Sequence, residues 1–141
     1  MTYTLSTTVA LPWNEALTRT RDALAAQGFG ILTEIDVRST FEAKLGADAA
    51  DAVGDYVILG AYNPALASRA LAAEPEIGAL LPCNVVVRTS KDPQATIIEA
   101  IDPQTMVQLS DSPGVRDVAD DADTRLHKAL ARLSEPREQS T

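Results

Sequence analysis

A chain of 141 residues with 45% hydrophobic and 23% charged side chains has the make-up of an ordinary globular domain that can bury a core. Only 4% of residues are aromatic and acids outnumber bases 20 to 12, so neither a stacking platform for single-stranded nucleic acid nor a cationic surface for phosphates or anionic lipid is expected. One cysteine makes no intrachain disulfide, no apolar run approaches a bilayer span, and the first residues lack the basic-then-apolar order of a signal peptide, so the expected location is the cytoplasm.

Thr2 to Ala10 alternates and is rich in Thr, Tyr and Val, which predicts a strand with Tyr3, Leu5, Thr7 and Val9 on one face. Pro12 suits the first position of a helix, and Trp13, Ala16, Leu17, Thr20 and Leu24 recur at helical spacing before the left-handed stop of Gly28. Phe29 to Val37 reads as a second strand. Strict alternation would put Ile31, Thr33, Ile35 and Val37 on one face and Leu32, Glu34 and Asp36 on the other. Ser39 and Glu42 have capping-box spacing, which predicts a short helix closed by Gly46. Ala47 to Asp55, rich in Ala, Asp and Gly, reads as a surface loop with room for one helical turn.

Tyr56 to Tyr62 is apolar on both faces, as an inner strand should be. Asn63-Pro64 combines a cap with a first-position proline and starts a helix that Pro75 halts after Glu74. That helix is apolar nearly all round, apart from Ser68 and Arg69, and should be largely buried. Glu76 to Leu81 forms a turn or short helix before Pro82. Cys83 to Thr89 is a β-branched strand, and the polar turn Ser90 to Gln94 returns it as a hairpin through Ala95 to Ile101. Asp102-Pro103 opens a short helix to about Leu109. Ser112-Pro113 precedes the clearest element, a helix over Val115 to Leu133 with a continuous apolar stripe, acids early and bases late. Residues 134–141 have no apolar side chain and read as a disordered tail after a single domain over 1–133. The irregular alternation and the hairpin favour a two-layer α+β domain: a mixed, mainly antiparallel sheet with helices mostly on one side.

The segments GFGILTEIDVRSTFEAKLG (28–46), YVILGAYNPALASRALAAEPEIGALLPCNVVV (56–87) and ATIIEAIDP (95–103) together resemble the bacterial and archaeal family called domain of unknown function 302. The resemblance covers roughly residues 2–110 and rests on the Gly-Phe-Gly plus Glu-Ile-Asp opening, the Asn-Pro before a helix, and the Glu-x-x-x-Gly-x-Leu-Leu-Pro-Cys-Asn corner. It implies a small α+β fold that associates as a homodimer, and it supplies no activity. The family commonly has a smaller residue, often Cys, where this chain has Tyr62, which would narrow any site there or make it more polar.

Several residues could carry chemistry. Glu34 and Asp36 share a strand face, an arrangement that can hold a hard cation or divide acid and base roles, and Lys44 lies one short helix later. The same residues read equally as a solvated face with an ion pair. Cys83 is either a buried core thiol or, with a helix N-terminus nearby, an activated one. Asn63 and Asn84 can cap their turns or bind a ligand carbonyl or carboxylate. Glu74 and Glu76 sit against the dipole of a helix C-terminus. The lone His127 supports neither a dyad nor a zinc cluster, and Gly28-Phe29-Gly30 is too short for a dinucleotide fingerprint. Three functions follow. The first is a homodimeric domain that binds a small polar ligand or ion near Glu34, Lys44, Asn63, Cys83 and Asn84, with no metal centre, no identified cofactor and no established catalysis. The second is a thiol enzyme or redox protein using Cys83, and the third is a purely structural dimerisation module.

Overall fold

The computed structural model describes residues 2–134. In chain order it contains β1 (Thr4–Val9), α1 (Trp13–Ala26), β2 (Gly30–Asp36), α2 (Val37–Leu45), α3 (Ala47–Val53), β3 (Tyr56–Tyr62), α4 (Pro64–Ala73), a 3-10 helix (Pro75–Leu80), β4 (Cys83–Thr89), β5 (Thr96–Ile101), α5 (Gln104–Leu109) and α6 (Pro113–Ser134). The strands form one sheet in the order β1-β5-β4-β3-β2, and every neighbouring pair is antiparallel. The fold is α+β, and the sheet is antiparallel throughout rather than mixed. No described helix is long and apolar enough to cross a membrane. The predicted tail begins at Ser134, which still belongs to α6; its remainder, 135–141, lies outside the described residues.

Cross-strand register sorts the side chains onto two faces. Val57, Leu59 and Ala61 of β3, Val85 and Val87 of β4, and Ile98 and Ala100 of β5 all point to one side. There they meet Ala16, Ala23 and Leu24 of α1 and Leu126, Ala129, Leu130 and Leu133 of α6 in a single buried cluster. Removing a leucine such as Leu126 from water contributes on the order of 2 kcal/mol of transfer free energy. The indole Nε1 of Trp13 donates to the Val87 carbonyl oxygen at 2.9 Å and ties the start of α1 to the sheet. The 22 residues of α6 outreach the sheet, so its first half builds a second cluster: Val115, Val118, Ala119 and Ala122 pack with Leu66 and Ala70 of α4, Ile77 and Met106.

The opposite face carries Tyr56 and Ile58 of β3, Asn84, Val86 and Arg88 of β4, Ile97, Glu99 and Ile101 of β5, and Thr33 and Ile35 of β2. None of these side chains is buried, although three of the four strands are interior to the sheet. This face is therefore largely open.

Three local expectations change. The pairing of β2 with β3 shifts between Ile31 and Thr33, so one extra residue, Leu32, reverses the alternation. Ile31, Glu34 and Asp36 consequently face the helices, while Thr33 and Ile35 face the open side, and Val37 is the first residue of α2 rather than part of the strand. That helix is capped by Asp36, whose Oδ1 accepts from the Ser39 amide at 3.0 Å, three residues earlier than the capping-box spacing suggested. Ala47–Val53 is a helix and not a loop. Its four alanines have high helix propensity, glycines at φ 97° and 71° bracket it, and Arg38 of α2 reaches Asp51 at 3.0 Å and Asp55 at 3.3 Å.

Candidate functional site

β4 begins beneath a corner made by the 3-10 helix, Leu81 and Pro82, and alternation divides its first two side chains between the faces. Cys83 pairs with Ala61 and turns inward to the helices; Asn84 pairs with Gly60 and turns to the open face. The corner can descend onto the sheet because Gly60 has no side chain. A Cβ there would lie 2.0 Å from Thr33 Oγ1 and 3.0 Å from Pro82 Cγ.

Between this corner, the start of β1 and the start of α5 lies a cavity of about 460 Å³. Val86 and Ile101 form part of its floor, Leu80, Leu81 and Pro82 one wall, and Pro103, Thr105 and Met106 another, with Tyr3, Tyr56, Asn84 and Glu99 supplying the main polar groups. The Asn84 carboxamide is exposed and makes no hydrogen bond to any described residue, so its donor and acceptor are both free. Glu99 Oε1 accepts from Arg88 Nε at 2.6 Å, and this hydrogen bond raises the guanidinium pKa above its already high ordinary value, against partial desolvation. The arrangement offers apolar contact and several hydrogen-bonding groups in a volume typical of small-molecule sites, which run from about 300 to 1,000 Å³.

On the other side of β4, Cys83 borders a gap of only about 20 Å³ with Phe29, Ala61, Tyr62, Asn63 and Leu66 among its neighbours. The thiol is buried, and desolvation pushes its pKa up to about 11, so it stays protonated at neutral pH. Asn63 caps α4: its Oδ1 accepts from the Leu66 amide at 3.2 Å. Its Nδ2 stands where a Cβ on Gly28 would approach within 3.0 Å.

Of the residues singled out from the sequence, Asn63 and Cys83 therefore meet around the small inner gap. Asn84 lines the larger cavity from the opposite face, and Cys83 borders that cavity as well as the gap. Glu34 pairs with Arg21 of α1 across the helix-covered side, and Lys44 is exposed in the last turn of α2, favourable to that helix's dipole. Glu34 and Lys44 line neither cavity. Glu74 is the C-cap residue of α4, Glu76 is exposed in the first turn of the 3-10 helix, and His127 Nε2 lies 3.1 Å from Asp123 one turn earlier on α6. Among the described residues no three His, Cys, Asp or Glu side chains converge as a metal-binding group. Tyr3, Tyr56, Arg88 and Glu99 were not anticipated as site residues. Their signal was faint but present: Glu99 is a lone charge inside TIIEAI, and Arg88 lies across the same hairpin.

A family model described as "Domain of unknown function DUF302" matches residues 5–133. The chain is also similar to a solved structure, "Crystal structure of uncharacterized conserved protein DUF302 from Bacillus stearothermophilus". The TM-score is 0.80 at 26% identity, over 94% of this chain and 99% of that one. None of the curated proteins matches.

Proposed function

Because the chain belongs to the domain of unknown function DUF302 family, whose description assigns no activity, we propose its function from the site itself: it is a small-molecule-binding protein whose site is the open-face cavity. The observation that carries this is the cavity of about 460 Å³ in which the free Asn84 carboxamide stands over an apolar wall and floor. Such a combination suits a ligand that is apolar along its body and polar at one end. The thiol reading gains little support, because Cys83 turns to the helices, away from Asn84, and is held protonated.

We also propose that the protein works as a homodimer, with Ile35 and Ile58, directly opposite each other on β2 and β3 beyond the cavity, packing against a second copy. Ile35 is 48% exposed on the open face, and the nearby Leu32 is 64% exposed. Apolar side chains grouped on an unburied sheet face favour association.

The test of the binding reading is a screen of small organic fragments against the full chain, read from ¹H–¹⁵N chemical shifts. Shifts should cluster at Asn84, Val86, Glu99 and Met106, and Asn84→Ala should weaken the hits. Perturbations scattered over the surface, or clustered only elsewhere, would sink the reading. Sedimentation of the wild type and of Ile35→Lys tests the dimer: the first should sediment as a dimer, and the second should shift towards monomer.

A further inference from the structure

Glu99 is the one charged side chain among the described residues lining the cavity, and no Lys, Arg or His joins it. Its charge is already matched. In the β4–β5 register Val86 faces Glu99 and Arg88 faces Ile97, so Arg88 and Glu99 are diagonal neighbours on the open face. Their contact is 2.6 Å, and their side chains retain only 35% and 23% of full exposure. Arg88 itself stands outside the lining. The cavity thus presents hydrogen-bonding groups of both senses and one carboxylate whose counter-ion is built into the sheet.

We propose that the Arg88–Glu99 pair is a charge filter: the site takes an uncharged amphipathic molecule and turns away the anionic and cationic forms of the same skeleton. This rests on the reading that the cavity binds a small molecule, and adds the class it selects. The apolar body lies against Leu81, Pro82, Val86 and Ile101, and a neutral amide or hydroxyl head meets Asn84. A carboxylate placed there faces Glu99, and the nearest cation is already engaged. An ammonium must compete with Arg88 for Glu99. Either ion loses hydration without gaining a free partner, whereas a neutral head exchanges water for the carboxamide and hydroxyl groups at little loss. The net charge of -8 adds a longer-range, salt-screened term against anions.

Hexanamide, hexanoate and hexylammonium, which share one apolar body, test the filter when titrated into the full chain with the Asn84 side-chain and backbone resonances as readout. Hexanamide should bind tightest, and each ion should be weaker by about tenfold or more. Glu99→Gln leaves Arg88 without its counter-charge and should improve hexanoate relative to hexanamide by about tenfold. Arg88→Gln frees Glu99 and should do the same for hexylammonium. Loss of fold cannot produce such opposite gains, and the wild-type series decides alone if a variant does not fold. Equal or tighter binding of either ion to the wild type overturns the filter, as does the wild-type order persisting in both folded variants. If all three probes bind alike, the cavity remains a binding site and only the filter falls. If none perturbs the cavity, the small-molecule reading falls and the filter with it.

Discussion

Alanine at Gly60 should strain the corner that roofs the cavity. Gly60 is buried in β3, between Thr33 of β2 and Asn84 of β4, with Pro82 crossing above it. An added Cβ would stand 2.0 Å from Thr33 Oγ1, 3.3 Å from Thr33 Cβ and 3.0 Å from Pro82 Cγ, whereas carbon contacts settle near 3.5–4.0 Å, roughly. Neither neighbour yields easily: Thr33 is branched at Cβ, and the proline ring is rigid. Overpacking of this kind destabilises by about 1–3 kcal/mol, and the lower chain entropy of unfolded alanine returns about 0.4–1 kcal/mol. The net loss is about 1–2 kcal/mol, which in a domain of this size lowers Tm by about 3–7 °C. Thermal melts of the single variant, of Thr33→Ala and of the double variant measure it. Because Thr33→Ala removes the nearest atom, Gly60→Ala should be less destabilising by about 0.5–1 kcal/mol in that background than in the wild type. An unchanged Tm for Gly60→Ala, or strict additivity with Thr33→Ala, would refute the packing argument.

Cys83 carries a pH signature. Its folded pKa is raised by burial from 9.0 to about 11, so its contribution to stability is full below pH 9.0 and is lost as the pH rises through about 11. Denaturant unfolding at pH 7 and pH 10.5 should show a smaller loss of stability for Cys83→Ala than for the wild type, and native thiol labelling at neutral pH should be slow until the protein unfolds. Asn63→Ala removes the cap of α4 and should lower stability by about 1 kcal/mol in a urea titration. Glu34→Gln breaks only an ion pair whose side chains are 37% and 43% exposed, so its effect should stay within about 0.5 kcal/mol. Neither Glu34→Gln nor Lys44→Ala should alter fragment binding at the open-face cavity, because neither residue lines it.

Much of the fold was legible because each signal acted over a few residues. Asn63 followed by Pro64 gave a capped helix within one turn, and the stripe from Val115 to Leu133 gave α6. The misreadings came where two local signals competed or an extra residue intervened. Alanine propensity outweighed the Asp and Gly content of 47–55, Asp36 capped α2 ahead of Ser39, and the bulge at Leu32 flipped the outer half of β2. The candidate site was legible at only one edge. Of the residues grouped on sequence nearness and residue type, Cys83 and Asn84 line the open-face cavity, Asn63 borders only the small inner gap, and Glu34 and Lys44 line neither.

Taken alone, the sequence determined most of the strand and helix segments and the apolar faces that become the two buried clusters, because these depend on residue type and spacing along the chain. Only the tertiary structure decided that the sheet is antiparallel throughout, that one face stays open, and that Tyr3, Tyr56, Asn84 and Glu99 gather around a cavity. Those outcomes depend on register, and a shift of one residue sends a side chain to the opposite face. Cys83 and Asn84 show the consequence most directly: adjacent in the chain, they turn to opposite faces of the sheet, one a buried thiol and the other an exposed carboxamide on the open face.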